Sequence, residues 1–276
     1  VKVQGFSGYV CEVLVMKYGS FENTLEGLAK LEPSEVLSLE EYDKDLAASF
    51  KSPAVILDPV DTTRNLGAAI SARNVAKLVF QCRRFLEKPS LSFFREKSER
   101  GKPDKELLSR TLVVTFGTNW RSPDILWGQL KKSAVGIANK LESSGFHVLR
   151  YCVASDESSK SAILFLLQDV TIGDLHARKG PEYFRSDEVK NYNGKNRKKA
   201  LLTWIGEEGR VESVFQRQFT EASKMLHDLL TKRLHSSGVS EEIRKEIGRG
   251  FRITAGNTVK KYGWLGSALN SLDVEE

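Results

Sequence analysis

Residues 53–67 read PAVILDPVDTTRNLG. An apolar run ends on Asp58-Pro59, and Asp61, Arg64 and Asn65 follow at once. A guanidinium donates two parallel hydrogen bonds in one plane, so a planar ligand with an acceptor edge is what Arg64 is suited to hold. Asp58 ahead of Pro59 is suited to fix the turn: its carboxylate accepts from the backbone beyond, and the proline sets φ. Asp61 is placed to hold Arg64 in its pose. The plainer alternative is an Asp61–Arg64 ion pair that serves only the turn.

Other chemistry has less support. Metal-dependent nucleotide chemistry wants two carboxylates two residues apart on a strand, where both face the same way and share the cations. Asp43 and Asp45 have that spacing, but SLEEYDKDLAASF reads as the start of a helix and as a solvated acidic turn. The sequence has neither a GxxxxGK[ST] loop nor a GxGxxG loop to cradle phosphates. Gly19-Ser20 is a lone pair with no carboxylate dyad after it, and the four histidines do not cluster. Cys11, Cys82 and Cys152 are far apart and odd in number, each among apolar neighbours. They are expected to be buried reduced thiols, in keeping with a cytoplasmic location.

Basic stretches are more suggestive. Lys195, Arg197, Lys198 and Lys199 crowd GKNRKKA (194–200). Lys131-Lys132 lies on a long helix, Arg150 in HVLRYCVAS, and Lys260-Lys261-Tyr262 near Trp264. Cations beside aromatics can hold nucleic-acid phosphates and stack on bases; ordinary surface charge is the alternative for each patch. The net charge of +6, from 42 Lys and Arg against 36 Asp and Glu, permits a nucleic-acid partner without requiring one.

The elements that must position these residues follow from periodicity. GFSGYVCEVLVMKY (5–18) reads as a helix capped by Ser7, with Val10, Val13, Leu14 and Met16 buried around it. ENTLEGLAKL is a second helix, and residues 54–57 are a short strand. Val75, Leu78, Val79, Cys82, Phe85 and Leu86 share one face of a helix that opens near Ser71, with Lys77, Arg83, Arg84 and Lys88 opposite. The charged, unpatterned stretch 95–106 is the expected domain boundary.

Beyond it, RTLVVTFG is a strand. A long helix follows, with Pro123 in its first turn, Gly145 at its end, and Leu126, Leu130, Ala134, Ile137 and Leu141 as its buried stripe. HVLRYCVAS and SAILFLLQD are two further strands, so the order strand, helix, strand, strand opens a ferredoxin-like sandwich. Residues 200–219 read as a hairpin, TEASKMLHDLLTKRL as an amphipathic helix, and EEIRKEIGRGFRI as the clearest piece of a weakly patterned C-terminus. The 276 residues, 40% hydrophobic and 28% charged, suit one large or two modest globular domains. No apolar run approaches the roughly 20 residues of a membrane helix, no secretory leader is read, and no membrane partner is expected. A first residue other than Met is expected of a piece of a longer or processed protein.

GFSGYVCEVLVMKYGSF followed by PAVILDPVDTTRNLGAAIS resembles the archaeal-type (class I) CCA-adding enzymes, the tRNA nucleotidyltransferases. That family carries a GFSGYLCE helix ahead of a DPVDxxRNVAA segment. Here Gly5 to Glu12 match the first, and Asp58-Pro59-Val60-Asp61 with Arg64-Asn65 match the second. RRFLEKPSLSFF, SPDILWGQLKKSA and SSGFHVLRYCVASDE are similar to further family segments, so the resemblance touches most of residues 4–185. The oligoadenylate synthetase and poly(A) polymerase group shares a weaker DPxDPTxN likeness. One departure stands out: Leu66-Gly67 replaces the usual Val-Ala, a change expected to loosen the segment.

The resemblance implies an α+β chain. Residues 1–103 would be a helical neck with a short sheet, and residues 104–276 a ferredoxin-like body with a smaller tail. It implies that the parent enzyme adds C, C and A to a tRNA 3′ end from CTP and ATP. Magnesium would be held by head carboxylates this chain lacks, so the chain alone binds no metal and is inactive. Arg64, with Asp61 and Asn65, would read the incoming base, and Asp58-Pro59 would shape the turn. C and A both carry an acceptor ring nitrogen beside an exocyclic amine, so one fork can serve both. Lys131, Lys132, Arg150, Lys195, Arg197, Lys198 and Lys199 would contact the tRNA acceptor arm. A second copy of the chain is left open as a partner. A stand-alone RNA-binding module and a fragment of an oligoadenylate-synthetase-like enzyme are the competing readings.

Overall fold

Ser7 caps the first helix of the chain, as its hydroxyl accepts from the Val10 N–H. The structure is a computed structural model that describes residues 4–33, 35–95, 104–259, 264–266 and 268–269. Its residues form two compact units, one within 1–98 and one within 99–276. The expected boundary stretch falls largely on residues 96–103, and Lys260-Lys261-Tyr262 also lies outside the described residues.

In the first unit, α1 (Gly8–Tyr18) ends at Gly19, whose φ of 85° closes the helix. It buries Val10, Val13 and Leu14, but Met16 is 66% exposed and Cys11 is exposed, contrary to the expectation for both. Only one face of this helix meets neighbours, and that face packs against α2 (Phe21–Ala29). Strand β1 (Val36–Leu37) pairs in parallel with β2 (Val55–Ile56), and α3 (Lys44–Ser49) lies between them in the chain. A short 3-10 turn, Leu66–Ala69, leads to α4 (Ala72–Glu87), capped by Ser71 and packed on α2. Val75 and Cys82 are buried on α4, Leu78 and Val79 are partly buried against the same core, and Leu86 is exposed at its end.

The second unit opens with α5 (Lys105–Ser109) and β3 (Thr111–Gly117). Next come α6 (Pro123–Ser143), β4 (Val148–Ser155) and β5 (Lys160–Leu167). The chain then makes a smaller structure: β6 (Leu175–Glu182), α7 (Ser186–Asn196), β7 (Leu202–Ile205) and β8 (Arg210–Gln216). It returns through α8 (Ala222–Lys232) and α9 (Glu241–Arg249) to β9 (Phe251–Ala255). The larger sheet has the order β4-β5-β3-β9, antiparallel throughout, which is the ferredoxin-like order. The smaller sheet, β6-β8-β7, lies between β5 and α8 in chain order. The sequence patterning did not single out β6, α7 or β9.

Strand β5 is buried on both faces, which is why SAILFLLQD reads as a continuous apolar run. On one face α6, α8 and α9 cover Val114, Phe116, Ile163 and Phe165. On the other, Val113, Ala162 and Leu164 pack with Leu108, Leu265 and Leu269. The expected stripe of α6 is fully interior, with Leu130, Ala134, Ile137 and Leu141 at 0% exposure. Gly136 of α6 lets the chain before α9 approach closely: a Cβ there would stand 2.6 Å from the Gly238 carbonyl oxygen. Gly238 itself has a φ of +77°, a conformation that side chains with a Cβ resist.

Candidate functional site

The loop after β2 is closed at its base by the backbone. Leu57 bridges to Asn65, and the Asp58 N–H donates to the Arg64 carbonyl at 3.1 Å. The Arg64 N–H in turn donates to the Asp61 carbonyl at 2.9 Å. Two side chains lock this shape. The Asp58 carboxylate is 5% exposed and accepts from the Val60 N–H at 3.0 Å and from the Tyr9 hydroxyl of α1 at 3.1 Å. Partial burial, then the Asp58 carboxylate, pushes the Tyr9 phenol above its ordinary value, so it remains a donor.

Asn65 is the second lock. Its Oδ1 accepts from the Ile56 N–H at 3.0 Å and the Gly67 N–H at 2.8 Å. Its Nδ2 donates to the Ser52 hydroxyl at 2.6 Å and the Ala54 carbonyl at 3.3 Å. An amide has two donors and two acceptor sites, and here all four are used inside the chain. Asn65 therefore positions the loop and has no donor left over for a base. Gly67 does not loosen the segment as expected. It is buried, and a Cβ there would meet the Ala54 carbonyl oxygen at 2.3 Å, so the missing side chain permits close packing.

The Arg64 side chain is 68% exposed, and its guanidinium lies 3.6 Å from the Asp58 carboxylate. The expected Asp61–Arg64 pairing is replaced by this Asp58 contact. The reason is local: Asp61 Oδ1 turns back to accept from the Thr63 N–H at 3.0 Å and the Thr63 hydroxyl at 2.6 Å. Those bonds hold the Asp61 carboxyl below its usual range, with the Arg64 charge a smaller cause. The guanidinium is already solvated, and the buried Asp58 carboxylate keeps its bonds from the Val60 N–H and the Tyr9 hydroxyl when Arg64 leaves. The guanidinium can thus leave Asp58 for a ligand at little cost, while the backbone that carries it stays fixed. The sequence offered no sign that Tyr9, 49 residues away, anchors this loop.

The basic residues do not form one patch. Lys131 and Lys132 sit on α6, where burial pushes the Lys131 ammonium downward. Arg150 alternates along β4 with Val153, which faces the α6 core, and so shares the other face with Cys152 and Ala154. The sheet therefore separates Arg150 from Lys131 and Lys132. Lys195 lies in the last turn of α7, Arg197 caps it, and Lys198 and Lys199 follow, all exposed. Of the seven basic residues, these four cluster at one helix end.

Asp43 and Asp45 do not form a paired-carboxylate site. The Asp43 carboxylate caps α3 by accepting from the Asp45 and Leu46 N–H groups, so the spaced aspartates are helix-start residues. Among the described residues no group of three or more His, Cys, Asp or Glu stands together as a metal site. No described helix is long and apolar enough to cross a membrane.

Comparison with known proteins places each unit. Residues 1–95 match the family model described as the second domain of tRNA nucleotidyltransferase. Residues 109–256 match that of the CCA-adding enzyme C-terminal domain. The chain is 30% identical over 270 residues to a CCA-adding enzyme of Pyrobaculum neutrophilum, covering 96% of this chain and 59% of that protein. It is 34% identical over 220 residues to one of Saccharolobus shibatae, covering 79% and 50%. A Sulfolobus acidocaldarius CCA-adding enzyme is 33% identical over 227 residues, covering 82% and 51%. The chain spans about half the length of the curated relatives it matches.

Proposed function

We propose, from the premise that this chain belongs to the archaeal-type CCA-adding enzymes, that it is the part of such an enzyme that holds the tRNA and the incoming nucleotide. The parent reaction adds C, C and A to the tRNA 3′ end from CTP and ATP. The first unit presents the base-reading loop, and the second binds the acceptor arm. The observation that carries this reading is the pairing of two adjacent family matches with an exposed guanidinium on a doubly locked loop. Magnesium supplies two-metal catalysis of nucleotidyl transfer, and we assign its carboxylates to a part of the parent enzyme outside this chain. The chain alone is then a binding module without transfer activity. A cytoplasmic setting follows from the tRNA substrate and suits the free thiols of Cys11, Cys82 and Cys152.

A titration of this chain with tRNA lacking CCA, against a DNA hairpin of equal charge at two salt concentrations, tests the reading. Preference for tRNA that survives the higher salt is expected, since A-form shape and 2′-hydroxyls are what a protein can recognise in an acceptor arm. Equal, salt-labile binding to both would leave only a basic surface and sink the proposal. In the same titration, neutralising Lys195, Arg197, Lys198 and Lys199 together should flatten the salt slope by about 1 to 4, according to how many reach phosphate.

Arg64 reads the base. In a complete parent enzyme, Arg64→Ala is expected to lower discrimination for CTP and ATP over UTP and GTP by roughly 10- to 100-fold, as loss of a bidentate contact worth about 1–3 kcal/mol implies. The tRNA dissociation constant should change less than about twofold, because Arg64 is assigned no phosphate contact. Unchanged misincorporation in the variant would refute the assignment.

A further inference from the structure

A cleft of about 340 Å³ opens in the second unit between the end of α6, strand β6, and the segments after β8 and α8. Its walls carry Arg178, Arg217, Arg233 and His176. These residues are dispersed over more than fifty positions and converge only in the fold. Arg217 is held in a made-to-measure seat. Its Nη1 donates to the Ser144 carbonyl at 3.1 Å, and a Cβ on Gly145 would lie 2.2 Å from that same nitrogen. Gly145 has a φ of +94°, so the bare backbone both turns there and admits the guanidinium.

Two buried nitrogens line this cleft without meeting the geometry of a hydrogen bond, although the His176 ring also lies near the Phe215 backbone. Arg217 Nε and His176 Nδ1 are buried with no hydrogen bond among the described residues. Buried polar atoms are nearly always satisfied, so an orphan pair beside a cleft is where the polar atoms of a ligand or of water belong. Among the described residues no carboxylate pairs with Arg178 or Arg217. Arg178 instead lies over the Phe215 ring, 5.3 Å from its centroid. Arg233 is tied at 2.8 Å to Asp228, and the one acidic lining residue, Glu142, is turned to the Val148 N–H at 2.6 Å and to His147. The cleft is therefore short of negative charge. Burial, then Arg217 and Arg178, push the His176 imidazole below its ordinary value, which agrees with a local positive field.

We infer that this cleft is a phosphate-binding subsite for one backbone phosphate of the RNA, seated between Arg178, Arg217 and His176. A tetrahedral oxyanion offers acceptors in several directions, which suits donors arriving from separate elements better than a planar carboxylate does. Arg178 and Arg233 are exposed at the rim, so a phosphate within a polymer can reach the seat. The RNA source rests on the tRNA-binding function proposed above; the anion chemistry stands on the cleft alone.

Arg178→Gln is the variant to make, because the Arg178 side chain makes no hydrogen bond or ion pair among the described residues. Binding of tRNA lacking CCA should weaken by about tenfold, the loss of one charge-assisted contact, and the log–log salt slope should fall by about 1. Imidazole NMR of the full chain supplies a second readout, with His176→Gln to assign the signal. The charged groups that line the cleft with His176 are Arg178, Arg217, Arg233 and Glu142, and adding tRNA should raise the titration midpoint of the ring, since an anion favours the imidazolium. Unchanged affinity and slope in Arg178→Gln, while wild type still prefers tRNA to the DNA hairpin, would overturn the subsite and leave the tRNA reading intact. Loss of that preference in wild type would instead overturn the tRNA reading. Inorganic phosphate that moves the His176 signal, with tRNA binding indifferent to Arg178→Gln, would assign the cleft to a free phosphate and overturn its RNA role.

Discussion

Asn65→Ala is expected to destabilise the first unit by about 2–4 kcal/mol, a large change for one exposed-loop residue. The substitution removes the acceptor for the Ile56 and Gly67 N–H groups and the donor to Ser52 and the Ala54 carbonyl. Ile56 is 1% exposed and Gly67 is buried, so water cannot readily replace what is lost. Each unsatisfied buried group costs about 1–3 kcal/mol. Asn65→Asp separates the two halves of the effect. It keeps the acceptor for both N–H groups but sets a carboxylate against the Ala54 carbonyl, and an intermediate loss is expected. All four tryptophans lie in the second unit, at positions 120, 127, 204 and 264. Amide hydrogen exchange at Val55–Ile56 is therefore the sharper measurement for the first unit. Protection of those amides unchanged by Asn65→Ala would show that the loop does not depend on this side chain. If it does, Arg64 loses its fixed position as well, and the variant should impair base selection without touching the guanidinium.

The second large effect concerns Glu246. It is 3% exposed on α9, and its Oε1 accepts from the Arg121 guanidinium and, at 2.8 Å, from the Asn119 N–H. Arg121 is 13% exposed and also donates to the Gln129 side chain of α6. One carboxylate thus ties the loop after β3, helix α6 and helix α9 together. Removing one partner of a buried pair leaves an uncompensated charge, so Glu246→Ala should cost the second unit about 3–5 kcal/mol. The double change Arg121→Met with Glu246→Leu should recover much of that, because apolar replacement of both partners removes the charge that must be desolvated. Urea unfolding followed by tryptophan fluorescence reads this unit directly, as all four tryptophans lie in it and Trp127, Trp204 and Trp264 are partly buried. A loss under about 1 kcal/mol for Glu246→Ala would mean that water reaches Arg121 and satisfies it.

Much of the fold was legible because local physics agrees with tertiary packing in most elements. The Ser7 and Ser71 caps, the stripe of α6 and the apolar run of β5 each carry their signal within a few residues. Several elements left no such signal, β6, α7 and β9 among them. Strand β6, LHARKGPE, is polar and largely exposed, so it has no alternation to read. Helix α7 buries no residue and has no apolar face. Strand β9 is only half-buried, and pairing with β3 defines it. Edge strands and surface helices are fixed by partners distant in sequence, which periodicity cannot see.

The same division governs the sites. By itself the sequence determined the family resemblance, the turn at Asp58-Pro59 and the placement of Arg64 beyond it, since each rests on residues a few positions apart. Only the tertiary structure decided that Arg64 lies at Asp58 rather than Asp61, that Tyr9 and Asn65 hold the loop, and that Arg178, Arg217 and His176 meet in one cleft. The physical reason is competition for hydrogen bonds. Asp61 satisfies itself on its own neighbour Thr63, a bond two residues long, which frees Arg64 for a carboxylate positioned by a helix 49 residues away. Pattern can rank such partners only by distance along the chain, whereas folding ranks them by distance in space and by which acceptors are still unused.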